Sequence, residues 1–274
     1  MTLLTTIALV LITSITSTLQ LTNEQKISVL QEANIAYDNG IALQTADRVA
    51  SKEAFRKSAE RFQILIDDGI ENGKLFYNLG NAYLQSGEIG EAIAAYRSAQ
   101  RYLPSDGRVK PNLDYARSLV ISPIKGETHT SILKRLAFWH DAIPTQVRLA
   151  FCIFLWFICW GLVTARLFRS LPMFKTASIT LGCATIALGI SVVVDRMNQH
   201  QDHGVLTANE VIVRKGKGAS YAPILNDPLY EGIEFEVIEQ RPDWLHIKFP
   251  NGSTGWIKKD DAQIVSLVQH LFRL

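Results

Sequence analysis

The chain of 274 residues predicts a multi-domain membrane protein: an all-α segment of stacked helix–turn–helix units, a hairpin of two membrane-spanning helices, and a small all-β domain. Three observations carry this. Gly73–Pro104 (GKLFYNLGNAYLQSGEIGEAIAAYRSAQRYLP) is one complete helix–turn–helix repeat, two long apolar runs lack any charge, and the texture after Val205 turns to short apolar alternation between turn residues.

Leu3–Thr18 comes first (LLTTIALVLITSITST). It is apolar, rich in Ser and Thr, and ends among small residues, as a secretory signal does, although no Lys or Arg precedes it. Residues 1–19 are therefore expected to be a signal peptide cut near Ser17–Gln20, or else a retained N-terminal anchor. No Cys follows the run, which excludes a lipoprotein.

Residues 23–120 form the helical domain, with its best repeat at 73–106. Leu79 and Tyr83 are four apart and share a helix face, as do Ala92, Tyr96 and Ala99 on the next helix. Gly80 and Ala92 lack bulk, so the two helices can approach closely while Tyr83 and Tyr96 fill the space beside them. Gly87 is placed to end the first helix, and Glu88 and Glu91 favour the positive start of the second. Upstream, Glu53–Gly69 places Ser58, Phe62 and Leu65 where the full repeat has Ala92, Tyr96 and Ala99. Its partner helix, Asn23–Gln44, carries Ala33, Ala36, Tyr37 and Ile41 but no Leu-Gly pair. Downstream, Val109, Leu113, Ala116 and Leu119 make one stripe, so 108–120 is expected to be a solvating cap helix.

Phe76, Leu79, Gly80, Tyr83, Ala92, Tyr96, Ala99 and Pro104 in this spacing resemble a tetratricopeptide repeat, a unit of about 34 residues. The resemblance implies peptide binding along the first helix of the repeat. It points to Lys74, Tyr77, Asn78, Asn81, Leu84 and Gln85 as groove residues, with Asn78 and Asn81 able to hydrogen-bond a peptide backbone or terminus.

Residues 121–148 are a membrane-proximal linker or an amphipathic helix, carrying Leu133, Leu136, Phe138 and Trp139 beside Lys134 and Arg135. The spans follow at 149–165 and 176–194, each close to the roughly 20 apolar residues that cross a bilayer. The connecting loop, 166–175, has three positive charges and no acid, so it is expected in the cytoplasm with both flanks outside.

In the C-terminal domain, 204–265, strands are expected at Val211–Arg214, Glu234–Glu239, Leu245–Phe249 and Thr254–Ile257, with Asn251-Gly252 as a hairpin turn. A tail follows at 266–274. The segments Val213–Ser220 (VRKGKGAS), Asp243-Trp244-Leu245 and Thr254-Gly255-Trp256-Ile257 resemble a bacterial SH3-like barrel. That resemblance implies binding of peptides or cell-wall material, with Tyr221 and Trp244 as ligand candidates and Trp256 filling the core.

A net charge of +2 gives no electrostatic case for nucleic acid. Cys152, Cys159 and Cys183 lie inside the spans and are expected to be apolar filler. His200 and His203 make an H-x-x-H pair with no third ligand in view, and no nucleophile elbow or phosphate or dinucleotide fingerprint occurs. No catalytic residue, metal site or cofactor is expected, and the chain is not expected to be an enzyme.

The whole order, carried most by FYNLGNAYLQSGEIGEAIAAYRSAQ, resembles the BatE family of the Bacteroides aerotolerance gene cluster. The resemblance implies a multi-pass protein of the bacterial inner membrane with both folded domains periplasmic. Its implied partners are Bat membrane proteins with von Willebrand A domains and, indirectly, a MoxR-type ATPase, with peptidoglycan as a further ligand.

Overall fold

The computed structural model describes residues 20–104, 106–122, 124, 143, 145–168, 172–199 and 202–265. The expected leader, the tail and most of the membrane-proximal segment lie outside the described residues. Among those described, the chain is mostly helical, with seven α-helices and one antiparallel five-stranded sheet. It divides into two compact units, Met1–Lys125 with His203–Leu274, and Gly126–Asp202.

In the first unit, α1 (Asn23–Leu43) pairs with α2 (Arg48–Asp67), and α3 (Gly73–Ser86) pairs with α4 (Ile89–Tyr102). Local sequence sets the starts of the first three. Thr22 and Gln25 form a reciprocal capping box on α1, Asp47 caps α2 and Asn72 caps α3. Gly87, with φ 99°, ends α3 in the left-handed conformation that only a residue without Cβ adopts freely.

Both pairs close on the same device. A Cβ on Gly80 would stand 2.7 Å from the Tyr96 ring, and a Cβ on Gly40 would stand 2.7 Å from the Phe55 ring. The counterparts of Ala92, Tyr96 and Ala99 are thus Ser51, Phe55 and Ser58, not the expected Ser58, Phe62 and Leu65. A fixed repeat offset fails here because the first pair is built from longer helices, 21 residues in α1 against 14 in α3. Ser51 and Ser58 donate to the carbonyls of Gly40 and Ala33 at 2.7 and 2.8 Å, so their burial leaves no orphan hydroxyl. Phe62 and Leu65 instead join Leu75, Leu79 and Ala82 in the core between the two pairs.

The sheet has the order β4-β3-β2-β1-β5, with β1 His203–Leu206, β2 Glu234–Gln240, β3 Trp244–Lys248, β4 Thr254–Lys258 and β5 Ala262–Val265. His203 therefore begins a strand, one residue ahead of the expected domain start at 204. Val211–Arg214 is not a regular strand but makes isolated bridges, Val211 to Leu229 and Arg214 to Pro223 and Trp256. Gly252, with φ 83°, makes the turn between β3 and β4. One face packs around Leu206, Val211, Leu229, Phe235, Leu245, Ile247 and Ile257.

The sheet is seated on the end of the helical stack. Val205 of β1 and Val265 of β5 share a core with Ala92, Ile93 and Tyr96 of α4 and with Leu113 and Ala116 of α5 (Val109–Ser118). Helix α5 is accordingly no solvating cap: Val109, Leu113 and Ala116 are buried, and of the expected stripe only Leu119 stays exposed. Glu234 at the head of β2 accepts from Nε of both Arg97 and Arg117 at 2.6 Å. Burial opposes its charge, but the hydrogen bonds and charges of Arg117 and Arg97 outweigh that and hold its carboxyl below the usual range. Glu231 accepts from the backbone N–H of Gly90 at 3.0 Å, doing from the sheet side what α4 lacks from its own sequence. A Cβ on Gly90 would meet the Leu206 carbonyl at 2.4 Å, and one on Gly232 would meet Val120 at 2.5 Å.

The second unit is the hairpin of α6 (Thr145–Phe168) and α7 (Pro172–Gln199), two helices long and apolar enough to cross a membrane. Their apolar stretches have mean hydropathy 2.0 and 2.1, and only 6% and 11% of those residues are buried, unlike the core helices of a water-soluble protein. Both helices run into the expected 166–175 loop, and α7 opens on Pro172, whose fixed φ suits a first helical position. Cys152 faces Gly189 and Cys159 faces Gly182, their thiols donating to the carbonyls of Thr185 and Ser178 at 3.6 and 3.5 Å. Small residues thus let the two helices meet closely. Arg148 is buried and donates to Ser191 Oγ and to the Ile143 carbonyl.

If the Gly90–Leu206 approach holds the sheet in place, Gly90→Ala will lower stability by about 1–3 kcal/mol, the usual cost of forcing extra volume into a packed site. Gly107→Ala, with nothing within 4 Å of its new Cβ, will stay within ~0.5 kcal/mol of the parent. Thermal unfolding of the full-length chain in detergent compares the two.

Candidate functional site

Helix α3 presents the expected groove residues to two different environments. Lys74 and Asn78 line a cleft of about 290 Å³ together with Ile27 and Leu30 of α1, Leu65 of α2 and Leu75. Ile27 and Leu30 are exposed. Lys74 makes no ion pair among the described residues; its charge reaches Asp106, whose carboxyl is held at about 2 chiefly by its hydrogen bonds with Arg108. No acid lines the cleft, although Lys26 at its edge is paired with Asp68 at 2.8 Å. The surface thus offers apolar walls, one uncommitted ammonium and one uncommitted amide, which suits an apolar peptide segment carrying a hydrogen-bonding backbone or a carboxylate.

Tyr77 and Asn81 are committed internally. Asn81 Oδ1 accepts from the Tyr96 hydroxyl at 2.7 Å and from Asn112 Nδ2 at 3.0 Å, while Asn112 also donates to the Tyr77 hydroxyl at 3.1 Å. The Arg108 guanidinium lies over the Tyr77 ring, 5.3 Å from its centroid. Burial raises the Tyr96 hydroxyl well above its ordinary pKa, so it stays a donor. Gln85 accepts from Gln44 Nε2 at 3.0 Å, tying α3 back to α1. Of the six predicted groove residues, only Lys74 and Asn78 line the cleft, and Leu84 packs instead against the core around Ala92 and Tyr96.

Arg108 at the N-cap of α5 and Asn112 four residues on within that helix complete this network and were not expected from sequence. Their spacing put them on one helix face, and that was the available signal.

On the sheet, Tyr221 is half exposed and its ring lies over Gly216, where a Cβ would come within 2.6 Å; Arg214 donates to its carbonyl at 2.8 Å. Trp244 is half-buried on the outer face of β3. Trp256, expected in the core, is on that outer face too, because alternation along β4 sends Gly255 and Ile257 inward. His246, beside Trp244 in sequence alternation, stacks on Trp256 with centroids 4.7 Å apart and planes 6° from parallel. The structure joins Trp256 to His246 and makes no ring contact between Tyr221 and Trp244 among the described residues.

His203 pairs with Glu236 and Val265 across the sheet, and burial together with Arg97 and Arg101 lowers its pKa. His200 lies outside the described residues. Among those described, no three His, Cys, Asp or Glu side chains are placed to hold a metal ion.

Asn81→Ala removes the acceptor for two buried donors and is expected to cost about 1–3 kcal/mol, whereas Asn78→Ala, which breaks no internal hydrogen bond, stays near zero. Denaturant unfolding of each variant reads the difference, and equal effects would contradict the assignment.

No family model matches the chain. It is 28% identical over 120 residues to the general transcriptional corepressor trfA of Dictyostelium discoideum, a match covering 40% of this chain and 8% of that protein. The chain thus spans a small part of the curated relative it matches.

Proposed function

We propose that the chain is a non-enzymatic, membrane-anchored adaptor that binds protein segments through a short tetratricopeptide array carried beside an SH3-like domain. The observation that carries this is the apolar cleft between α1 and α3, with Lys74 and Asn78 at its rim making no ion pair or side-chain hydrogen bond among the described residues. The Gly80–Tyr96 and Gly40–Phe55 pairs support the repeat assignment, since both helix pairs close through a glycine under an aromatic ring.

Anchoring rests on α6 and α7. Two crossings return the chain to the side it left, which accords with residues on either side of the hairpin folding into one unit. Positive charge in the 166–175 segment favours the cytoplasm for the turn and the periplasm for the folded unit. In this arrangement the partners are other envelope proteins, and the sequence resemblance to the BatE family nominates Bat proteins with von Willebrand A domains, with a MoxR-type ATPase reached indirectly.

A second reading, a module that grips peptidoglycan, is favoured by the aromatic outer face of Trp244, His246 and Trp256 together with exposed Tyr221. One experiment separates the two. A photo-crosslinking residue replaces Asn78 in one full-length variant and Trp244 in another, and each is irradiated in living cells. The adaptor reading expects discrete protein adducts from position 78, diminished by Lys74→Glu. The envelope reading expects wall-attached product from position 244, and no adduct at 78 would count against the adaptor.

A further inference from the structure

Two carboxylates from distant parts of the chain meet at the N-terminus of α4. Glu231, in the loop before β2, accepts from the Gly90 N–H at 3.0 Å. Glu91, in the first turn of that helix, keeps Oε2 out of water with no hydrogen-bond partner among the described residues. The sheet side packs tightly here, since a Cβ on Gly90 would also meet Thr207 Cα at 3.0 Å and Glu231 Cβ at 3.2 Å.

The remaining charged and titratable neighbours do not relieve the crowding. Glu88 at the N-cap of α4 accepts from the Ser86 hydroxyl and adds a third negative charge, and α3 contributes the phenol of Tyr83. Lys52 of α2 approaches Gly87, its Nζ 3.3 Å from where a Cβ there would stand, and Arg97 is committed to Glu234. A helix N-terminus offers only about half a unit of positive charge, too little for two desolvated carboxylates. Burial first, then repulsion from Glu231 and Glu88, pushes Glu91 up to about 7, against the pull of its own backbone N–H.

We propose that the seating of the sheet on α4 is proton-controlled: Glu91 is neutral when the sheet is docked, and its ionisation beside Glu231 loosens the sheet. The sign follows from linkage. An acid whose folded pKa is raised binds its proton more tightly in the docked state. Its contribution is therefore complete below about 4.5, the ordinary value, and is lost as pH rises through about 7. Glu234 works the other way. Its lowered pKa means that the Arg97–Glu234–Arg117 contribution is present above the ordinary carboxylate range and fades on acidification. Docking is therefore strongest in a mildly acidic window and weakens on both sides of it.

Hydrogen exchange of the full-length chain in detergent, corrected for intrinsic rates, tests this at Gly204–Leu206 and at the first turns of α4. Between pH 6 and pH 8 the parent chain is expected to lose roughly tenfold in protection there, while α1 and α2 change little. Glu91→Gln removes the loss by keeping the side chain neutral. Equal losses in parent and variant, or no loss in the parent, overturn the proposal. If Glu91→Gln fails to fold, Glu231→Gln serves instead. It removes the repulsion and lets Glu91 ionise more easily, so the loss must move to lower pH and shrink, and an unmoved profile overturns the proposal.

Discussion

A short stack of helices ends in an apolar face that has to be covered, and here the cover comes from the far end of the chain. Val205 and Val265 close over Ile93, Leu113 and Ala116, so β1 and β5 take the place a further helix pair would fill. Fully burying a side chain of this kind is worth about 1.5–3 kcal/mol, which makes the shared core the larger source of cohesion. The Arg97–Glu234–Arg117 cluster is partly exposed, and such pairs add little net stability. Its role is to fix register: a carboxylate held between two guanidiniums admits one seating of β2 over α4 and α5, and Glu231 on Gly90 fixes a second point.

Other features follow from that seating. Gly90 and Gly232 are required because two backbones approach within contact of neighbouring groups, not because either element needs flexibility. With the α4–α5 end closed, the α1–α3 side still presents apolar surface beside a lysine and an amide that are unpaired among the described residues. The same docking joins segments that flank the hairpin of α6 and α7 in the sequence.

Much of the local structure was legible in the sequence, because it is encoded by spacing over one or two helical turns. Gly80 and Tyr96, the left-handed Gly87 and the uncharged runs all act over short range. The counterpart pair, Gly40 and Phe55, escaped notice because longer helices shift it out of the expected offset. Trp256, expected in the core, stands on the outer face because its neighbours Gly255 and Ile257 take the inner positions of β4. Asn81 looked available for a ligand because its acceptor role depends on Tyr96 and on Asn112, which lies on another helix. The docking itself was illegible: Glu234 is far in sequence from both of its arginines, and nothing local to β2 announces them.

The central claim is that helices and sheet are one energetically coupled unit. A double-mutant cycle tests it most directly, with Arg117→Leu and Glu234→Leu made singly and together in the full-length chain and stability taken from denaturant unfolding in detergent. Coupling predicts a non-additive interaction of about 0.5–3 kcal/mol, with helical and sheet signals lost in one transition. Additivity within ~0.3 kcal/mol, with the sheet unfolding separately, would contradict it.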